Sequence, residues 1–267
     1  MTYDITIVAV TTVGHELTRR SIERTDNILP CRDILVLSDQ NFYPGARYID
    51  IPQSFDRNDY NVFMIEKLID NINTEHVLVV QYDGMAVNRD QWTDEFLYYD
   101  YIGAPWLWLH KNQVGNGGFS LRSRRLLETL SMQKITADCE LNEDQVICQK
   151  SRSVLESLSI RFASVPVAHR FSHEREAGSH KSFGFHGSFN VPYFLNRTDT
   201  EYYIQNMPLR DYAGQLEIIP YCYQAGLNEL AELAIELGRQ EHDDFDQKLI
   251  DYMTSIPGRF NFILGKL

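Results

Sequence analysis

Four segments of this chain carry side chains whose types and spacing could do chemistry. The first is Gln81-Tyr82-Asp83-Gly84, which closes the apolar run His76–Val80. A carboxylate at that point is costly to bury unless a cation or several hydrogen bonds meet it. A hard divalent cation suits it, because such ions take oxygen ligands and share them with phosphates. The same Asp could also simply cap the next turn. The second segment, Val114 to Ser123, holds Gly115, Gly117 and Gly118 within four positions. That density lets backbone approach a ligand closely or take positive φ. Its spacing fits neither Gly-x-Gly-x-x-Gly nor the Gly-x-x-x-x-Gly-Lys phosphate loop. The segment is expected to run straight into a helix at SRRLLETL. The third is Asn142-Glu143-Asp144-Gln145, where two acids open a helix and meet the positive end of its dipole. One of them could instead serve as a general base beside a hydroxyl. The fourth is the set His169, His173, His180 and His186. His169 and His173 have the helical i, i+4 spacing that can hold zinc. No HExxH motif follows, since Arg175 succeeds His173-Glu174, and a zinc site is not expected. His186 stands within Phe183-Gly184-Phe185-His186-Gly187, where alternating aromatics and glycines limit its direction. Trp106 and Trp108 could stack on sugar rings, or one of them could belong to the core.

These segments need elements to position them. DITIVAVTT, from Asp4, and DILVLSD are short apolar, β-branched runs of the kind buried parallel strands use. HELTRRSIERTDNI lies between them as a helix, YIDIP is a candidate third strand, and NDYNVFMIEKLIDNIN places Val62, Ile65, Leu68 and Ile69 on one helical face. HVLVVQYDG is the most apolar strand. Strands alternating with helices predict an α/β fold with a mainly parallel central sheet flanked by helices. In such sheets ligands bind beyond the carboxyl ends of the strands, which singles out Thr11-Thr12, Ser38-Asp39 and Gln81–Gly84. Beyond Asp100 the pattern loosens into glycine-, aromatic- and histidine-rich loops with helical pieces, as in loops that build a site. From about Asp199 it becomes helical again. The reading is one domain over 1–195 and a helical extension over 196–267 packed on it.

Composition bounds the partners. Of 267 residues, 43% are hydrophobic and 23% charged, enough apolar material for a real core and incompatible with disorder or a disulfide-dense scaffold. A formal charge of −12 disfavours nucleic acid as a partner. No apolar run reaches the roughly 20 residues of a membrane span. MTYDITIVAV reads as a first strand rather than a signal peptide. Cys31, Cys139, Cys148 and Cys222 are scattered, as expected of free thiols in a cytoplasmic protein. The tail Arg259–Leu264 mixes charge with apolar residues and reads as packed, with contact to a membrane or partner as the other possibility.

In order along the chain, these motifs resemble the GT-A-fold nucleotide-sugar glycosyltransferases, in particular an uncharacterised, mostly bacterial family related to that fold. The resemblance covers roughly residues 4 to 190. Gln81-Tyr82-Asp83 stands where those enzymes carry Asp-x-Asp, with Gln81 replacing the first acid and Asp83 retaining the second. Asn116-Gly117-Gly118-Phe119-Ser120-Leu121-Arg122 is similar to their acceptor-side glycine segment. Glu143-Asp144 is similar to the acid pair that supplies the base in inverting members, and Phe183–Gly187 to the segment whose histidine completes the metal site. The resemblance implies a glycosyltransferase of hexosyltransferase type acting in polysaccharide biosynthesis. It would move a sugar from a nucleoside diphosphate donor, UDP-sugar favoured, to a hydroxyl of a glycan or lipid-linked glycan. It implies Mn2+ or Mg2+ on Asp83 and His186, Asp144 as general base, and Glu143 orienting the acceptor. Thr11, Asp39, Gln81 and Tyr82 fall on the nucleotide side; Trp106, Asn116, Gly117 and Gly118 wall the sugar and acceptor. A sugar-nucleotide pyrophosphorylase is the alternative enzyme, although Thr11-Thr12-Val13-Gly14-His15 is not its glycine-rich loop. A non-catalytic nucleotide-sugar-binding module, suggested by Gln81, is the alternative outside catalysis.

Overall fold

The computed structural model describes residues 2–175, 181–208 and 212–255. His180 and the tail Arg259–Leu264 lie outside the described residues. The chain divides into two compact units, Met1–His186 and Gly187–Leu267.

The first unit is α/β. Strands β1 (Tyr3–Thr11), β2 (Cys31–Ser38), β3 (Arg47–Asp50), β4 (His76–Val79), β6 (Tyr101–Ile102) and β7 (Ser120–Ser123) form one sheet in the order β3-β2-β1-β4-β7-β6. The first four strands are parallel; β7 runs antiparallel to both β4 and β6. Strands β5 (Gly84–Ala86), β8 (Ser172–His173) and β9 (Gly184–His186) make a second, three-stranded sheet in the order β5-β9-β8.

Alternation along the strands divides the core in two. Val8, Leu35, Leu37, Val77 and Val79 face one layer, closed by residues 63–72, by helix α3 (Arg124–Met132) and by Val146–Cys148. Ile5, Ile7, Ala9, Val36, Leu78 and Val80 face the other. That second layer is closed by helix α1 (His15–Ile28), helix α6 (Val165–Phe171) and an aromatic group in which Phe119 stacks on Phe171 at 5.2 Å. Both faces are covered, as a mainly parallel sheet requires.

The glycine segment Val114 to Ser123 runs straight into helix α3, with Ser123 as its N-cap; its last four residues also form strand β7, in which Leu121 and Arg122 are both fully buried on opposite sides. Two expectations need correction. The 57–71 stretch is not one regular helix. Helix α2 (Arg57–Val62) passes into a widened turn in which Leu68 N–H reaches Phe63 O, and then into a tight turn. The same widening follows the short helix α4 (Glu143–Gln145), where Ser151 N–H reaches Val146 O before helix α5 (Arg152–Ser157). Finally, α6 ends at Phe171 and His173 belongs to β8, so His169 and His173 do not share a helical face.

The second unit is helical in its described residues: α7 (Val191–Phe194), α8 (Arg197–Gln205), α9 (Tyr212–Gln224), α10 (Asn228–Glu241) and α11 (Phe245–Thr254). Among the described residues no helix is long and apolar enough to cross a membrane.

The aromatic layer yields a stability test. Phe171 is fully buried between Phe96, Phe119 and Phe183. Phe171→Ala should lower the unfolding free energy by about 3–5 kcal/mol in a denaturant titration. A loss below about 1 kcal/mol would contradict this packing.

Candidate active site

The parallel order turns around β1, which leads to β2 and β3 on one side while β4 lies on the other. A ligand crevice is expected there, beyond the carboxyl ends of the strands. A cavity of about 220 Å³ occupies it, lined by Val10–Val13 at the end of β1 and just beyond it, by Gln81 and Tyr82 after β4, and by Phe55, Arg57 and Tyr60. Thr11 is in this lining, and its hydroxyl accepts from Val13 N–H at 3.1 Å. Asp39 is not. Its carboxylate accepts from His15 Nε2 at 2.7 Å.

The strand-end turn is tight. Gly84 N–H donates to Gln81 O at 3.0 Å and Gln81 N–H to Gly84 O at 3.1 Å, leaving Tyr82 and Asp83 at the apex. Beyond it β5 pairs antiparallel with β9, with Gly84 opposite His186. This register brings Asp83 Oδ1 within 3.7 Å of His186 Nε2, with Gln81 Oε1 3.3 Å from the same nitrogen. The other ring nitrogen, Nδ1, is 3.1 Å from the Asn116 amide and 3.8 Å from Glu174 Oε1. Burial alone would push His186 down; the charges of Asp83, Glu174 and Asp144 outweigh it and raise its pKa to about 9.

Among the described residues no three His, Cys, Asp or Glu side chains gather as a complete metal cage. One carboxylate, one imidazole and one amide oxygen form an incomplete set. That set fits a Mn2+ or Mg2+ ion whose other ligands are phosphate and water. A ring bound through Nε2 needs an acceptor at Nδ1–H. Asn116 Oδ1 is buried without a hydrogen-bond partner, and turning the amide over supplies that acceptor.

The glycine segment frames the second half of the site. Its left-handed residue is Asn116, at φ +64°, not a glycine. The glycines are there for close approach instead. A Cβ at Gly115 would overlap the Trp106 ring, at Gly117 the Glu143 carboxylate, and at Gly118 the His186 ring. Gly117 N–H donates to Asp144 Oδ2 at 2.8 Å, and Gln145 N–H donates to Oδ1 at 2.8 Å. Burial and the neighbouring Glu143 charge raise the Asp144 pKa to about 6, against the opposing pull of Gly117 N–H and Arg122.

A cleft of about 360 Å³ opens here, lined by Asn116–Gly118, Asp144, His186, Glu174, Arg175, the amides Asn142, Gln145 and Gln149, and the two tryptophans. One sequence assignment changes. Glu143, expected beside an acceptor, turns inward: it is 3% exposed and takes a hydrogen bond from the fully buried Arg122 at 2.7 Å. Trp106 lines the cleft while packing mostly with the core, at 7% exposure, whereas Trp108, at 57%, offers the more accessible ring. Tyr60, Arg122 and Glu174 were not singled out by sequence. Each is an ordinary residue type at an ordinary spacing, and only the fold brings it to the site.

The α/β unit thus presents two cavities near the carboxyl ends of its parallel strands, one of them beside a carboxylate–imidazole pair. Residues 47–186 match a family described as "Protein of unknown function (DUF5672)", and the chain belongs to that family. No curated protein matches it. Among solved structures it is similar to a glycosyltransferase involved in the glycosylation of the major capsid of PBCV-1, at 12% identity over 68% of this chain and 91% of that chain, with a TM-score of 0.45. It is similar to the bifunctional IspDF from Campylobacter jejuni at 12% identity, over 67% and 52% of the two chains, with a TM-score of 0.37. It is similar also to the mannosyltransferase PcManGT from Pyrobaculum calidifontis, solved with GDP-Man and Mn2+, at 8% identity over 89% and 75%, with a TM-score of 0.45.

The close approach at Gly117 is open to measurement. Gly117→Ala should drive its methyl into the Glu143 carboxylate and destabilise the fold by about 1–3 kcal/mol. Unchanged denaturant stability would contradict that contact.

Proposed function

We propose that this protein is a metal-dependent glycosyltransferase. On this reading it moves a sugar, with inversion, from a nucleoside diphosphate donor, UDP-sugar favoured, to a hydroxyl of a glycan or lipid-linked glycan. One observation carries the reading: the Asp83–His186 pair stands at the cleft that also holds Asp144. The order of motifs along the chain supports it independently. Electrostatics adds a further argument, because Asp83, Asp144 and Glu174 gather around a site that would have to admit an anionic diphosphate. A cation is needed to bring such groups together.

The chain's own residues then divide the work. Asp83 and His186, with Gln81 beside them, would hold Mn2+ or Mg2+. When bound, that ion would supply the electrostatic stabilisation of the leaving diphosphate. Thr11, Gln81 and Tyr82 would bind the nucleotide in the cavity between β1 and β4; Asp39 would reach a ribose only on release from His15. Asn116, Gly117 and Gly118 would press backbone against the sugar. Trp108 would give the acceptor an aromatic face, with Asn142, Gln145 and Gln149 as hydrogen-bonding partners. Asp144 would take the proton from the acceptor hydroxyl as the new bond forms. A side chain with a pKa of about 6 is ionised at neutral pH and still basic enough for that transfer.

Two experiments test the roles. Asp83→Ala should abolish Mn2+-dependent binding of UDP or GDP in calorimetry; retained affinity would remove Asp83 from the metal site. Asp144→Asn should keep donor binding while turnover drops on the order of 10²–10⁴-fold. With metal and donor saturating, so that His186 stays ligated, turnover in the parent enzyme should be flat above about pH 6 and fall about tenfold per pH unit below it, because the base must be ionised. Nucleotide binding without transfer or donor hydrolysis, across an acceptor screen, would favour the binding-module alternative.

A further inference from the structure

Among the described residues Arg122 is the largest fully buried side chain, and nothing in the functional reading above uses it. It sits on β7 and spans three groups. Nη2 donates to Glu143 Oε1 at 2.7 Å and reaches Gly117 O at 3.4 Å, while Nε donates to Ser120 Oγ at 3.1 Å. Ser120 Oγ donates in turn to Gly117 O at 3.0 Å. The Gly117 peptide is therefore gripped at its carbonyl by Arg122 and Ser120, and its N–H points to Asp144. Glu143 is held from its backbone too, its N–H donating to Asn61 Oδ1 at 3.0 Å.

We propose that the buried Arg122–Glu143 pair is the positioning device of Asp144, holding the Gly117 peptide and the first turn of α4 in one fixed relation. This rests on the reading of Asp144 as the base. A fully buried ion pair is a poor way to gain stability, because desolvation offsets most of the attraction. A planar guanidinium with several fixed donors is a good way to orient a loop against a helix. The glycine at 117 belongs to the same device: any side chain there would displace the carboxylate that Arg122 holds.

The pair also sets the electrostatic surroundings of Asp144. Facing it are Glu143 on its own helix, Arg122 from β7, Tyr60 from α2, Tyr101 from β6, Cys148 from the widened turn and His186 from β9. Of the two charges in the pair, Glu143 acts more strongly, in the direction that keeps the Asp144 proton on. Neutralising Glu143 while keeping Arg122 must therefore make Asp144 more acidic.

The test uses the full chain and reads the Asp144 carboxyl by NMR titration beside steady-state kinetics. Glu143→Gln, which keeps the acceptor oxygen for Arg122, should lower the Asp144 midpoint by about one pH unit, and the acid limb of turnover should follow it. The double variant Arg122→Met with Glu143→Leu exchanges a buried pair for apolar groups, a replacement that folds commonly tolerate. It should bind UDP with Mn2+ within about threefold of the parent while kcat falls roughly 10–100-fold, the cost of a loosely held base. An unmoved Asp144 midpoint in Glu143→Gln, or parental kcat in the double variant, would overturn the proposal. Should Glu143→Gln not fold, the double variant decides. A parent protein inactive with every donor would defeat the glycosyltransferase reading instead, and the Asp144 titration would still judge the pair.

Discussion

The volume a methyl group would occupy at Gly117 is filled by the Glu143 carboxylate, and the volume at Gly118 by the His186 imidazole. The site is built around that pair of bare backbone positions. They let α4 and β9, far apart in sequence, approach one loop from two sides. The loop reaches this position through Asn116, whose left-handed conformation is one that asparagine tolerates better than most side chains. Its amide then meets the His186 ring. Packing here fixes the chemistry: the distances between charged groups follow from how closely backbone can be approached.

Charge explains why those distances are useful. The pocket gathers Asp83, Glu174 and Asp144 about His186, and their combined field overcomes the cost of burying a charged imidazole. The pocket is thus balanced for positive charge at the β5–β9 junction, on a chain that is acidic as a whole. A few ångströms behind, the guanidinium of Arg122 answers the carboxylate of Glu143 in a layer closed to solvent. The two acids Glu143 and Asp144 have opposite fates although they are adjacent. Neighbouring residues on a helix point roughly 100° apart, so one faces the core while the other faces the cleft.

That geometry also shows where sequence reading reached and where it stopped. Strands β1, β2 and β4 were legible because β-branched apolar runs bounded by polar residues have few other uses. Strand β7 was hidden, since an arginine in four residues reads as surface; here it is core. The second sheet was hidden for a different reason: two- and three-residue strands leave no periodicity. The juxtaposition of Asp83 with His186 depends on that sheet's register, so residue spacing alone could not reveal it, and only the order of motifs hinted at it. Trp106 and Trp108 were both visible as aromatics, yet which ring is covered depends on Gly115 lying against Trp106. Asp39 carried the right position at a strand end, but the partner it meets, His15, comes from the start of α1.

The widened turns after Tyr60 and after Asp144 have a consequence for how this protein tolerates change in length. In each, one more residue than an α-helix needs is accommodated between a hydrogen-bonded donor and its acceptor. Removing a single residue from 63–67 or 146–150 would let the turn close to ordinary α geometry without breaking the chain. Because the surplus residue is taken up within the turn itself, the helical residues on either side would keep their facing. Tyr60 would stay at its cavity in one case, and Glu143 and Asp144 would keep their opposite faces in the other. Deletions at these two bulges are thus mild for folding and for alignment alike, whereas a deletion inside a regular helix turns everything beyond it by about 100°.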